Sequence, residues 1–141
     1  MNASTLDFGQ LLPRDIAKLQ GVHEDLVRVV VQARDNYSFI IVEGLRTIER
    51  QRELLAKGAT QTLHSRHLTG HAVDLCPWTD FNSDHVVNSD EIDWRNVGSF
   101  RQMAIVVKDA AHALGIPVEW GGDWKSFYDG PHFQLPFSKY P

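Results

Sequence analysis

The chain has 141 residues, 43% of them hydrophobic and 23% charged, the balance of one soluble globular domain and not of a disordered, collagen-like or long coiled-coil chain. Its formal charge of −4 argues against a nucleic-acid binder that works by broad phosphate neutralisation. A single cysteine, Cys76, excludes an intrachain disulfide and a cysteine-rich metal cluster.

Residues 1–12 read as an arm or loop. They lack the basic start and apolar stretch of a signal peptide, and no segment approaches the length of apolar sequence that spans a membrane. Synthesis in the cytosol and no stable membrane insertion are therefore expected. Pro13 suits the first turn of a helix, where a missing N–H costs nothing, so a short helix is expected to Gln20, with a break at Gly21. Val22, Leu26, Val29, Val30 and Ala33 form one stripe at helical period, which predicts an amphipathic helix over Val22–Arg34. Tyr37–Glu43 is short and rich in β-branched and aromatic residues, as a buried strand is. Thr47 reads as the cap of a helix over Ile48–Lys57, closed by Gly58.

A polar loop over Ala59–Leu68 and a turn at Gly70 lead into a second strand, Ala72–Leu75, ended by Pro77. Trp78–Asp93 reads as an irregular excursion. Ser99 and Gln102 have the spacing of a capping box ahead of the strongest helical stripe in the chain, Phe100, Met103, Ala104, Val107, Ala110, Ala111 and Leu114. Gly115 closes that helix. Pro117–Trp120 and His132–Leu135 read as two more strands. The expected fold is α+β, with helices packed on one face of a small, mostly antiparallel sheet.

Seven histidines raise the question of which converge. Catalytic zinc sites use three protein ligands from His, Asp and Glu and leave a position for water. On a strand, side chains alternate, so Asp74 shares a face with Ala72 while His71 points the other way. His67, just ahead of the Gly70 turn, can meet Asp74. In the segment Asp129-Gly130-Pro131-His132 a turn can bring Asp129 back beside a metal held by His132, the place for a general base that is not itself a ligand. Arg46, at the end of a buried strand, can pin a carboxylate or stabilise an oxyanion. Taken singly, each has a plainer role. His67 can be an ordinary hydrogen-bonded histidine, Asp74 a turn carboxylate, Arg46 a surface ion pair, and Asp129-Gly130-Pro131 an ordinary turn. His64 could also reach the site from its loop.

Ser65-Arg66-His67-Leu68-Thr69-Gly70-His71-Ala72-Val73-Asp74 matches the pattern S-x-H-x-x-G-x-A-x-D. The pattern resembles that of the zinc peptidase superfamily of D-alanyl-D-alanine carboxypeptidases, VanX-type dipeptidases and VanY-like enzymes. A carboxylate three residues before a histidine, Asp129 and His132, and an arginine shortly after the first strand, Arg46, occur in the same order as in that superfamily. Asp rather than Glu at the base position, Gly121-Gly122-Asp123-Trp124 and Ile92-Asp93-Trp94 are most similar to the small phage endolysins that are L-alanyl-D-glutamate endopeptidases. The likeness runs from about Val22 to Leu135.

The resemblance implies a Hedgehog/D,D-peptidase-like fold, one zinc peptidase domain over residues 1–141 with a core at about 22–135, and one Zn2+ held by His67, Asp74 and His132. It implies that Asp129 takes a proton from the attacking water, that Arg46 stabilises the oxyanion or holds a substrate carboxylate, and that Ser65 hydrogen-bonds the substrate. The implied substrate is the peptidoglycan stem peptide and the implied role is host lysis. The enzyme would be a monomer that accumulates in the host cytoplasm and reaches the periplasmic face of the wall through a holin. A D-alanyl-D-alanine carboxypeptidase or dipeptidase of the same superfamily and an inactive peptidoglycan-binding module are the alternatives. His71 is expected as an exposed strand-edge histidine, Cys76 as a buried packing residue, and Asp123-Trp124 as a structural turn. Of the other aromatics, Trp78, Trp94, Trp120, Phe127 and Tyr128 are expected mostly in the core or at a groove rim.

Overall fold

The computed structural model describes residues 7–60, 62 and 64–141; the first six residues of the expected arm, and positions 61 and 63 of the expected polar loop, lie outside them. Helices α1 (Pro13–Lys18), α2 (Glu24–Arg34), α3 (Ile48–Ala56) and α4 (Val97–Leu114) combine with strands β1 (Phe39–Glu43), β2 (Ala72–Pro77), β3 (Glu119–Trp120) and β4 (His132–Gln134). The sheet order is β1-β2-β4-β3, and every pairing is antiparallel. This is the α+β arrangement that the patterning predicts.

The stripe of α2 lies in the core through Leu26, Val29, Val30 and Ala33, and that of α4 through Phe100, Met103, Ala104, Val107, Ala110 and Ala111. Val73 and Leu75 join the same core from β2, so Asp74 between them projects from the opposite face of the strand. Met103 has no exposed surface, and its truncation to alanine would cost about 2–5 kcal/mol. Asp15 in α1 is buried and its Oδ1 accepts the Ile41 amide at 2.9 Å, tying the first helix to β1.

Several boundaries differ from the sequence expectation, three of them for a plain local reason. Helix α2 starts at Glu24, because the His23 ring Nδ1 accepts the Asp25 amide at 3.0 Å and caps it there. Helix α4 starts at Val97, because Asn96 Oδ1 accepts the Ser99 amide at 3.0 Å; Ser99 is inside the first turn and is not the cap. Strand β2 continues through Pro77. Trp78 N donates to Ser38 O at 3.1 Å, so the Pro77 nitrogen falls at the position facing away from β1. On that side β4 pairs only with Ala72–Asp74, and no ladder bond is lost.

The excursion after β2 is held by one buried carboxylate. Glu91 accepts from Trp78 Nε1 at 3.0 Å and from the amides of Phe81 and Asn88 at 2.9 Å each. These bonds hold its carboxyl below the usual range against the opposing effect of desolvation.

Candidate active site

Asp74 and His132 are direct register partners on the two central strands. His67 arrives from a single turn of 3-10 helix, Arg66–Thr69, whose N-cap Ser65 accepts the His67 amide at 3.2 Å. That turn closes at Gly70 in the left-handed region, φ 76°. A Cβ there would lie 2.1 Å from Gly21 O, so only glycine lets the turn sit against the α1–α2 connection.

The three side chains meet at one oxygen. His67 Nε2 lies 3.1 Å and His132 Nδ1 3.4 Å from Asp74 Oδ1. His67 is 1% and His132 5% exposed. The outer face of each ring shows which nitrogen carries the proton. His67 Nδ1 is 2.8 Å from the Gly44 carbonyl, which can only accept. His132 Nε2 is 2.8 Å from Gln134 Oε1. Neutral imidazole has one N–H, so both lone pairs point inward at a carboxylate that also has no proton. Three donors of suitable type within 4.8 Å of one another, with nothing between them to share, fit a bound cation and specifically a borderline metal that takes N and O ligands. Burial disfavours the charged form of His132, but its bond to Asp74 and the Asp74 charge prevail and raise its basicity. Burial likewise opposes ionisation of Asp74, yet the bonds and charges of His132 and His67 hold its carboxyl well below the usual range.

Asp129 stands beside this group and outside it, with Oδ2 4.0 Å from His132 Nδ1. The turn foreseen at Gly130-Pro131 is present, and His132 N donates to Asp129 O at 3.2 Å. Burial and the charge of Asp74 push the Asp129 carboxyl above its ordinary value, against the pull of His132, His67 and Arg46. Gly121 makes the approach possible. Its carbonyl accepts the Asp129 amide at 3.1 Å, and a Cβ on it would meet Asp129 O at 2.3 Å and His132 Cβ at 3.0 Å.

Arg46 is 9% exposed, not a surface residue. Its Nε donates to Glu43 Oε1 at 3.0 Å and its Nη1 to Gln51 Oε1 at 2.7 Å, and its Nη2 sits 3.5 Å from Asp74 Oδ2. The guanidinium is thus fixed by β1 and α3 with its charge against the back of the metal-type carboxylate. These groups share a cavity of about 590 Å³ with Ser65 and the aromatics Trp94, Trp124 and Phe127. Such a cavity is large enough for several residues of a peptide.

The first comparison that bears on this geometry is with a family model described as phage L-alanyl-D-glutamate peptidase, which matches residues 8–135. The chain belongs to the phage L-alanyl-D-glutamate peptidase family. Among members of known name, it is similar to the L-alanyl-D-glutamate peptidase of Listeria phage A118, 36% identical over 101 residues, which are 72% of this chain and 31% of that protein. The chain therefore spans about a third of that relative's length. It is also similar to the L-alanyl-D-glutamate peptidase of Escherichia phage T5, 26% identical over 142 residues, 91% of this chain and 96% of that one. The crystal structure of the Serratia marcescens L-Ala D-Glu endopeptidase ChiX superposes with a TM-score of 0.78 and 45% identity, covering 92% of this chain and 91% of that one.

Within this peptidase family fold, other residues fall as follows. His64 lines the cavity wall but is outside the three-ligand group. His71 faces away from the metal-type group, as alternation requires. It is half-buried, however, against the rings of His23 and Tyr140 at 5.5 and 6.4 Å, because the C-terminal segment returns over it. Cys76 is buried, and desolvation pushes its thiol up to about 12, so it is no nucleophile at neutral pH. Asp123 pairs with Lys108 Nζ at 2.6 Å, a structural role. Trp124 does more than fill a turn, since its ring stands 5.0 Å from that of His132 and lines the cavity. Trp78 and Trp120 are core residues. Glu43, Gln51 and Gln134 complete the site and were not foreseen. Gln134 follows His132 at strand period 2, a signal that was available; Gln51 reaches back from α3 and left none.

Proposed function

We propose that the chain is a zinc-dependent peptidoglycan endopeptidase that hydrolyses the L-alanyl–D-glutamyl bond of the stem peptide in host-cell lysis. One observation carries this reading: two imidazole lone pairs and one carboxylate oxygen converge on the floor of an open cavity, with the Asp129 carboxylate beside them and free of them. The names of the relatives support the bond that is cut.

His67, Asp74 and His132 would hold a zinc ion, which would supply the Lewis acidity that polarises a carbonyl and acidifies water. Asp129 Oδ2 accepts the proton of the attacking water and returns it to the leaving amine nitrogen, leaving an L-alanine carboxylate and a D-glutamate amine. Its raised basicity suits that exchange. Arg46 orients Asp74 and sets a fixed positive charge toward the oxyanion. The Ser65 Oγ accepts the His67 amide, which leaves its hydroxyl proton for a substrate carbonyl. Trp124 and Phe127 supply an apolar wall to the cavity in which the reacting bond would lie.

No helix among the described residues is long and apolar enough to cross a membrane. We propose a single peptidase unit that works as a monomer and gains the wall through a holin.

Digestion of purified peptidoglycan with fragment analysis by mass spectrometry tests the proposal. New L-alanine C-termini paired with D-glutamate N-termini, lost on chelation and restored by zinc, are expected. Release of terminal D-alanine would move the chain to the carboxypeptidase branch, and no cleavage by folded, zinc-supplied protein would leave a binding module.

A further inference from the structure

The two histidines of the site are held from behind in different ways. His67 gives its Nδ1 proton to a backbone carbonyl, Gly44 O. His132 gives its Nε2 proton to a side chain, Gln134 Oε1, at 2.8 Å. An amide can turn over and present its NH2 instead, which would reverse the proton on the ring. Gln134 is prevented from doing so by Glu119, whose Oε1 accepts from Gln134 Nε2 at 3.0 Å. A carboxylate only accepts, so the NH2 end of Gln134 must face Glu119 and the oxygen must face His132.

These three residues lie on adjacent strands in one register. Glu119 opposes Gln134 across the β3–β4 ladder, and Gln134 and His132 share a face of β4 at period 2. Gln134 is 8% exposed, whereas Glu119 is exposed at the sheet edge. The relay therefore runs from a solvated charge to a buried ring.

We propose that Gln134 is a positioning residue, locked by Glu119, that fixes His132 as a ligand through Nδ1. The proposal rests on the metal reading of the site. It acts through His132. A side-chain partner of this kind commonly governs metal affinity by about 10–100-fold.

The test uses the whole chain and two readouts besides activity: zinc affinity by chelator competition, and imidazole proton placement by nitrogen-detected NMR. In the metal-free parent above the imidazole range, the His132 proton is expected on Nε2, and in the zinc-loaded parent coordination is expected through His132 Nδ1 and His67 Nε2. Gln134→Leu is expected to weaken zinc binding at least about tenfold and to leave His132 a mixture of tautomers, with His67 unchanged as an internal check on folding. The exchanged pair Glu119→Gln with Gln134→Glu keeps an acceptor on His132 and a donor behind it, and should restore both signals. Coordination of His132 through Nε2, or wild-type zinc affinity in Gln134→Leu, would overturn the relay and leave the metal site intact. A parent chain that binds no zinc would overturn the metal reading and the relay with it.

Discussion

The Nε2 atom of His67 lies 3.1 Å from Oδ1 of Asp74, and neither atom has a proton to offer the other while the imidazole is neutral. The contact is held by the surrounding fold and by what occupies the space between the two atoms. A cation satisfies both at once.

Removing the metal should therefore destabilise the fold as well as stop turnover. A ligand that binds only the native state at a hundred times its dissociation constant adds about 2.7 kcal/mol. Scanning calorimetry with zinc and with excess chelator is expected to differ by several degrees. His67→Ala, Asp74→Ala and His132→Ala should each abolish that difference. Equal melting temperatures with and without zinc in the parent protein would contradict the ligand set.

Asp129→Asn should separate catalysis from binding. The amide has the size of the carboxylate but accepts no proton, so turnover should fall by about 10²-fold or more. Zinc content measured by elemental analysis should stay at the parental level, because Asp129 lies 4.0 Å from His132 Nδ1 and outside the ligand group. Zinc lost in parallel with activity would make Asp129 a ligand.

Gly121→Ala should damage the site from behind. The new Cβ would meet Asp129 O at 2.3 Å, and backbone cannot give way cheaply. Displacement of Asp129 by about 1 Å would cost on the order of 10²-fold in rate. Circular dichroism should retain the helical signal, since the atoms that the new Cβ would meet belong to Asp129 and His132 and not to a helix. A fully active variant would show that the β3–β4 connection does not place the base.

Tyr140→Phe should change stability in a defined pH window. Tyr140 Oη donates to Asp25 Oδ2 at 2.7 Å, and this bond, with help from Arg28 and against burial, holds Asp25 below the usual carboxylate range. A lowered carboxylate contributes stability that is present above its unfolded pKa and is lost as pH falls through the folded value. The same bond and the Asp25 charge raise the Tyr140 phenol, helped by burial. That contribution is present below the phenol's unfolded value and fades as pH rises through the folded one. Urea titrations should show a loss of about 1–2 kcal/mol in the variant between about pH 4 and pH 10, shrinking on both sides. A pH-independent loss would assign the effect to packing.

The stripes of α2 and α4 and the β-branched run of β1 were legible in the sequence because each repeats one simple period. The convergence of His67, Asp74 and His132 was legible in part because His67 and Asp74 bracket a glycine turn and Asp129 and His132 bracket another, so short-range geometry already narrows what can meet. The start of α4 was misplaced, since Ser99-x-x-Gln102 has the spacing of a capping box but the path of the preceding chain makes Asn96 the cap. The anchoring of Arg46 by Gln51, five residues on, depends on the turn between β1 and α3, and the half-burial of His71 on a C-terminal segment that returns over it. No local pattern announces such a return.

Asp74 and His132 are partners on the two inner strands of the β1-β2-β4-β3 sheet, and the Leu75 amide beside them donates to Pro131 O at 2.9 Å. Sheets open most readily at their margins. Either margin can fray without parting this pair, so these amides should be among the last to exchange with deuterated solvent. Asp74 and His132 are thus held together for as long as the inner strands stay paired, and of the three converging groups only His67, on its 3-10 turn, can leave without parting the sheet.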